Sequence, residues 1–334
     1  MSLLRRGTTV LVLTVAIVLG TISPASAHAG GLSPTAARGE VVSVSPAVPG
    51  LVVTTIEDGA RLLVHNDTGS TVNVPAGAGQ AAAVSVPDGR SFSWIDARAT
   101  TLERDLDQTR TVRWTVPMTV GATAVTVTGR FVAGPPPAAL AWWVVAAGVA
   151  TALTVVARRA RRPDLILAVA GLVTVVASLA HVIGATLAVQ SAPLWGTFID
   201  ATGIGLLVWP MVAAAAIAAL RGSTRGVLGV CAGAGLSVVF ILPDVTVFHY
   251  AVLPVAGPAT LERLLVAVVL GAGTATAVAG AGALRSLANP GPERTSTLPD
   301  TAGPDTAGPD PVRPDRTRPD RARREPVPPE SENR

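Results

Sequence analysis

Lysine is absent from this chain, and cysteine, tyrosine and methionine nearly so: one Cys, one Tyr and three Met among 334 residues. A single thiol, Cys231, excludes any intramolecular disulfide, and no Cys-x-x-Cys or His/Cys cluster exists to hold a structural metal. Charge is scarce too. Only 14% of residues are charged, against roughly 25% in soluble domains, and mean hydropathy reaches +0.49. The formal charge of +4 is carried by arginine alone. A nucleic-acid footprint needs a clustered basic face with stacking aromatics; here the arginines border apolar runs or alternate with aspartates, which excludes nucleic acid as a partner. No nucleophile–base pair or carboxylate pair is identifiable, so the sequence reads as non-enzymatic.

What the chain does contain is ordered along its length. Arg5 and Arg6 precede an apolar run from Thr8 to Ile22, followed by Ser23-Pro24 and Ala25-Ser26-Ala27. A basic start, an apolar core and small residues two apart predict a signal peptide over 1–27. Cleavage there leaves His28 first. Its α-amine and imidazole together form a bidentate nitrogen clamp suited to copper(II).

Residues 28–134 change character. Short β-branched runs are predicted as strands at Val41–Val44, Leu51–Ile56, Arg61–His65, Thr71–Val74, Phe92–Asp96, Thr111–Val116 and Ala124–Phe131. Turn chemistry at Pro49-Gly50, Asp58-Gly59, Asn66 to Gly69 and Pro87 to Gly89 separates them. Val125, Val127 and Phe131 alternate with Thr126, Thr128 and Arg130, interrupted by Gly129. About seven strands over about a hundred residues predict an immunoglobulin-like β-sandwich, with Trp94 and Trp114 in its core.

Residues 135–288 are predicted as five transmembrane helices, entered through the stiff Pro135-Pro136-Pro137 spacer and the interfacial pair Trp142-Trp143. The spans end near Ala157, Val189, Leu220, Pro243 and Leu284, and Trp209-Pro210-Met211 predicts a kink in the third. Arginines at 158, 159, 161, 162, 221 and 225 fill the connections before the second and fourth spans, whereas the opposite loops contain none. The positive-inside rule then puts the β-domain outside and the carboxyl terminus inside. Gly171, Thr174, Ser178, His181 and Ala185 share one helix face, and Gly226, Gly229, Gly233 and Ser237 another; small residues of this kind face neighbouring helices. His181 therefore points inward. His181, Asp200, Asp244, His249 and Glu262 all belong to the outer half of the helices, where ionisable groups are costly and by default functional. Residues 289–334, with Pro-Asp recurring every five residues from Pro299 to Pro319, predict a disordered cytoplasmic tail.

The stretches Val48-Pro49-Gly50-Leu51, Leu62-Leu63-Val64-His65-Asn66, Phe92 to Arg98 and Trp114 to Met118, with His28 at the mature start, resemble a family of actinobacterial membrane proteins that carry an exported β-domain before a helical bundle. His28 is also similar to the mature terminus of copper-resistance proteins of the CopC type. That likeness implies copper handling, with His65 or Asp96 assisting His28; Ile95 and Ala97 stand where a His-Asp-His stretch is expected, so such a site borrows ligands elsewhere. His181, Asp244 and His249 are the candidates for a separate metal site at the outer mouth of the helices. The sequence thus predicts a multi-pass membrane protein of the cell envelope that meets the lipid bilayer, whose activity it does not specify and for which the resemblance implies copper handling. Two alternatives stand beside it: a membrane-anchored module that binds another envelope protein, and a small transporter.

Overall fold

The computed structural model describes residues 31–77, 82–99 and 111–288; the expected signal peptide, His28 and the tail lie outside them. Eight strands come first: β1 (Ala37–Ser45), β2 (Leu51–Ile56), β3 (Arg61–Asn66), β4 (Val72–Val74), β5 (Val84–Val86), β6 (Arg90–Trp94), β7 (Val112–Val120) and β8 (Thr123–Ala133). They form two sheets, ordered β1-β8-β7-β4-β5 and β2-β3-β6, in which all pairings are antiparallel. One apolar cluster joins them: Val53, Leu62, Val64 and Trp94 from the smaller sheet meet Val72, Trp114, Val116, Met118, Val125, Val127 and Phe131 from the larger.

The period-2 pattern of β8 is continuous in burial, and Gly129 has a packing reason. It lies opposite Trp114 across the β7–β8 ladder. A Cβ there would stand 2.0 Å from the Trp114 ring and 2.5 Å from the Glu40 carbonyl, so only glycine lets the indole lie flat across the strand. The strand expected at Phe92–Asp96 runs instead over Arg90–Trp94, and β5 is not among the predicted strands.

The helices are α1 (Ala139–Arg159), α2 (Pro163–Ala188), α3 (Leu194–Thr202), α4 (Gly205–Leu220), α5 (Thr224–Ile241) and α6 (Ala259–Ala288), with a 3₁₀ segment, Leu242–Phe248, following α5. Four helical segments are long and apolar enough to cross a membrane, or five if α3 and α4, bent by 66°, count as one broken span. The break falls at Gly203, whose φ of +50° a side chain would disfavour. Pro210, where the sequence predicts a kink, lies inside α4, whose helical assignment runs through it.

Packing follows the small-residue faces. A Cβ on Gly226 would approach the Ala219 amide to 2.4 Å, and one on Gly233 would approach Val212 to 2.2 Å, so α5 lies almost backbone-to-backbone on α4. On α2, Gly171, Thr174, His181 and Ala185 look inward together, and a Cβ on Gly171 would meet Val230 at 2.4 Å. The outer surfaces are the reverse. Val144, Val176 and Leu207 are exposed at 62%, 65% and 72%. Water does not tolerate such a continuous apolar surface, but a multi-pass membrane protein requires it.

Candidate functional site

Three helical elements bring charge to one buried point. His181 sits on the inward face of α2, one step beyond Ser178 on that small-residue stripe. Asp244 arrives from α5 because Pro243 ends the α-helical ladder and the chain tightens into 3₁₀ turns, which carry the carboxylate inward. Glu262 stands in the first turn of α6. The His181 ring lies between the two acids. Its Nδ1 meets Glu262 Oε1 in a short contact, and its Nε2 lies 3.3 Å from Asp244 Oδ2. His181, Asp244 and Glu262 are 8%, 6% and 3% exposed, so water does little to screen them.

The chemistry follows from the donor count. A neutral imidazole has one N–H and one lone pair; an imidazolium donates from both nitrogens. With a carboxylate at each nitrogen, both contacts are attractive only when the ring carries both protons or an acid carries one. The centre is therefore a place where a proton is held between three groups. Arg263, beside Glu262 and also buried, turns away and donates to the Val247 carbonyl at 2.9 Å and the Tyr250 carbonyl at 2.7 Å. It closes the carbonyl ends of the 3₁₀ segment, so the segment bearing Asp244 and the helix bearing Glu262 are one fastened unit.

The expected site residues divide. His181 and Asp244 come together. His249, the third of that set, is exposed just past the 3₁₀ segment, and its place is taken by Glu262. The signal for Glu262 was its position, an acid opening a long apolar helix, which also reads as ordinary favourable charge at a helix N-terminus. In the β region, exposed His65 is engaged by Ser91 Oγ at 2.7 Å and Asp67 Oδ2 at 2.8 Å. Asp96 is buried and saturated: it accepts from Trp94 Nε1, from the Arg98 amide and, in a bidentate pair, from the Arg98 guanidinium. Burial alone would raise its carboxyl pKa, but the hydrogen bonds from Arg98 and Trp94 and the arginine charge together hold it below the usual range. Its oxygens are occupied as structural acceptors. Among the described residues no group of three or more His, Cys, Asp or Glu side chains is arranged to hold a metal ion.

The end of the helices that holds this centre is also where the β region is seated. Glu57, in the 3₁₀ turn Glu57–Gly59 after β2, is buried and accepts from the Gln190 and Ser191 amides at 2.9 and 2.8 Å, just past the end of α2. Its other oxygen pairs with Arg61 at 2.9 Å. Glu57 and Asp58 have φ near +55° and +56°, a left-handed conformation that is strained in a non-glycine residue and concentrates where structure enforces it. Thr35 and Val252 exchange backbone hydrogen bonds of 2.9 and 3.0 Å, and Leu32 packs on Ala185 and Val189. The loop between the 3₁₀ segment and α6 is thus tied on one side to the β region and on the other, through Ala256 N to Gly184 O at 2.9 Å, to the helix turn beside His181. Replacing Glu57 by alanine should speed hydrogen exchange at Gln190 and Ser191 and loosen this seat by about 2 kcal/mol, because charge-assisted bonds are lost. Glu57→Gln, which keeps an acceptor, should retain most of it; equal exchange in all three proteins would refute the seat.

Comparison with protein-family models, with curated proteins and with solved structures finds no match for this chain.

Proposed function

We propose that this is an integral membrane protein of the cell envelope, non-enzymatic, that presents an immunoglobulin-like β-sandwich outside the membrane on a five-span helical bundle and adjusts its seat according to the proton occupancy of the His181–Asp244–Glu262 centre. The observation that carries this reading is the imidazole held between two buried carboxylates. A purely structural polar contact needs one partner, whereas three coupled ionisable groups can hold different numbers of protons.

The route to the sandwich is short. Glu262 opens α6, and the preceding loop carries both Ala256, bonded to Gly184, and Val252, paired with Thr35. A change of charge at the centre acts on that loop through covalent continuity and two backbone contacts. The arginine-free loops of this end are expected outside and the arginine-rich loops inside, which puts the centre within reach of external protons and the tail in the cytoplasm. The two-sheet apolar core supports the sandwich.

Hydrogen exchange of residues 249–258 in the full chain, reconstituted in lipid nanodiscs, tests the reading. Once the intrinsic chemistry of exchange is corrected for, protection should change with pH as the centre gains or loses a proton. Glu262→Gln, which is isosteric but cannot ionise, should flatten the change. A protection pattern indifferent to pH in the wild type, or equally pH-dependent in Glu262→Gln, removes the proposal.

A further inference from the structure

A cavity of about 490 Å³ lies at the opposite, arginine-rich end of the helices, where the end of α1, the start of α2, the α4–α5 turn and the end of α6 fail to close on one another. Its wall is mostly apolar, with Leu167, Val227 and Val278 among its lining residues, and its rim carries Arg158, Asp164 and Ser223. Arg158 is exposed and, among the described residues, has no carboxylate within ion-pair distance. Arg159, Arg161 and Arg162 adjoin it on the same connection, and Arg221 and Arg225 flank the next. An apolar slot with Arg158 at its mouth, where apolar helix surface gives way to arginine-rich connections, has the layered chemistry of a lipid: hydrocarbon, then phosphate.

We propose that this cavity binds one anionic phospholipid, its phosphate paired with Arg158 and the head of one acyl chain seated against Leu167, Val227 and Val278. The volume holds a phosphate, a glycerol backbone and the first methylenes; the rest of the chain continues along exposed apolar surface such as Val278, 51% exposed. Ser223 Oγ accepts from the Gly226 amide at 3.3 Å, which leaves its hydroxyl proton free to donate to the phosphate. Asp164 is the one acid of the lining. It repels a phosphate but accepts hydrogen bonds from a polar headgroup, and that pairing selects phosphatidylglycerol, whose headgroup offers hydroxyl donors beyond an anionic phosphate. The proposal depends on the helices lying in lipid and is independent of the proton centre.

The test is lipid retention by the full-length protein in detergent, read by native mass spectrometry with phosphatidylglycerol, phosphatidylcholine or inorganic phosphate added. Wild type should retain one phosphatidylglycerol in preference to phosphatidylcholine, and inorganic phosphate should not displace it. Arg158→Ala should weaken retention about fivefold, the effect of one interfacial arginine on an anionic lipid, and Val227→Trp, which fills the slot, should abolish it. Arg225→Ala, outside the lining, should change little. Equal retention of the two lipids, an unaffected Arg158→Ala or Val227→Trp protein, or the same loss in Arg225→Ala and Arg158→Ala, would each overturn the site in favour of diffuse lipid association. Displacement by inorganic phosphate would overturn it in favour of a free anion.

Discussion

His181→Ala is expected to destabilise the helical region by about 3–5 kcal/mol, the range for removing one partner of a buried ionic group. Asp244 and Glu262, 6% and 3% exposed in the wild type, then lose the imidazole that lies between them, which raises the cost of keeping both carboxylates ionised with little water to screen them. They must take up protons, admit water or move apart. Moving apart pulls the 3₁₀ segment away from α6, against the two hydrogen bonds by which Arg263 holds it. The measurement is the unfolding midpoint of the purified full chain in detergent, followed by helical circular dichroism. Glu262→Gln should partly rescue His181→Ala, because the double variant leaves one buried acid instead of two; the non-additivity is the coupling of the pair. A loss below about 1 kcal/mol in His181→Ala, in the range of ordinary surface substitutions, would show that the ring is not what balances these acids.

Asp96→Ala should cost the β region about 3 kcal/mol. The change strands the Trp94 indole N–H and the bidentate Arg98 guanidinium, which also reaches the Pro75 carbonyl at 3.2 Å and so ties the segment after β4 to the end of β6. The same residue makes stability depend on acid. Its carboxyl pKa is held down in the folded state, so its contribution is complete above the ordinary aspartate value of about 3.9 and is lost as pH falls through the native value. Asp58 acts in the opposite sense: burial raises its carboxyl pKa and the Arg38 guanidinium only partly offsets this, so its folded form gains relative stability as pH falls. The difference between wild type and Asp96→Asn, followed by Trp fluorescence against pH, isolates Asp96 from Asp58. The gap between the two proteins should narrow below about pH 4. A gap that stays constant through the acid range would mean that the Arg98 pair contributes nothing specific to the ionised form.

The legible parts of the fold were those written in local periodicity. β-Branched alternation and Gly-containing turns mark β2, β3 and β8 within a residue or two, and long uncharged runs mark the membrane-length helices. The three-residue β5 and the break at Gly203 were not legible. The β5 segment follows an Ala/Gly-rich stretch that carries no β-branched run, and a glycine in an apolar helix reads as a packing residue as easily as a stop. The candidate site was half legible. The helical face through Gly171, Thr174 and Ser178 aims His181 inward, and the cost of an ionisable group among apolar spans groups Asp244 with it. His249 is grouped with them because it belongs to the same half of the helices, and the 3₁₀ segment leaves it exposed. Glu262, 81 residues from His181, could join the pair only through packing of α6 on α2. The docking role of Glu57 was hidden in the same way, since Glu57-Asp58-Gly59 reads as a turn whatever it touches.

Sequence by itself determined the division into a β-rich region and a helical region suited to lipid, because both are set by side-chain period and by the solvent each segment can tolerate. Tertiary structure alone decided which ionisable groups meet. Glu262 rather than His249 completes the buried centre, and Glu57 rather than any predicted ligand fastens the sheets to the helices. The physical reason is that burying a charge demands a partner from whichever element packing brings near, and the demand is met across space rather than along the chain.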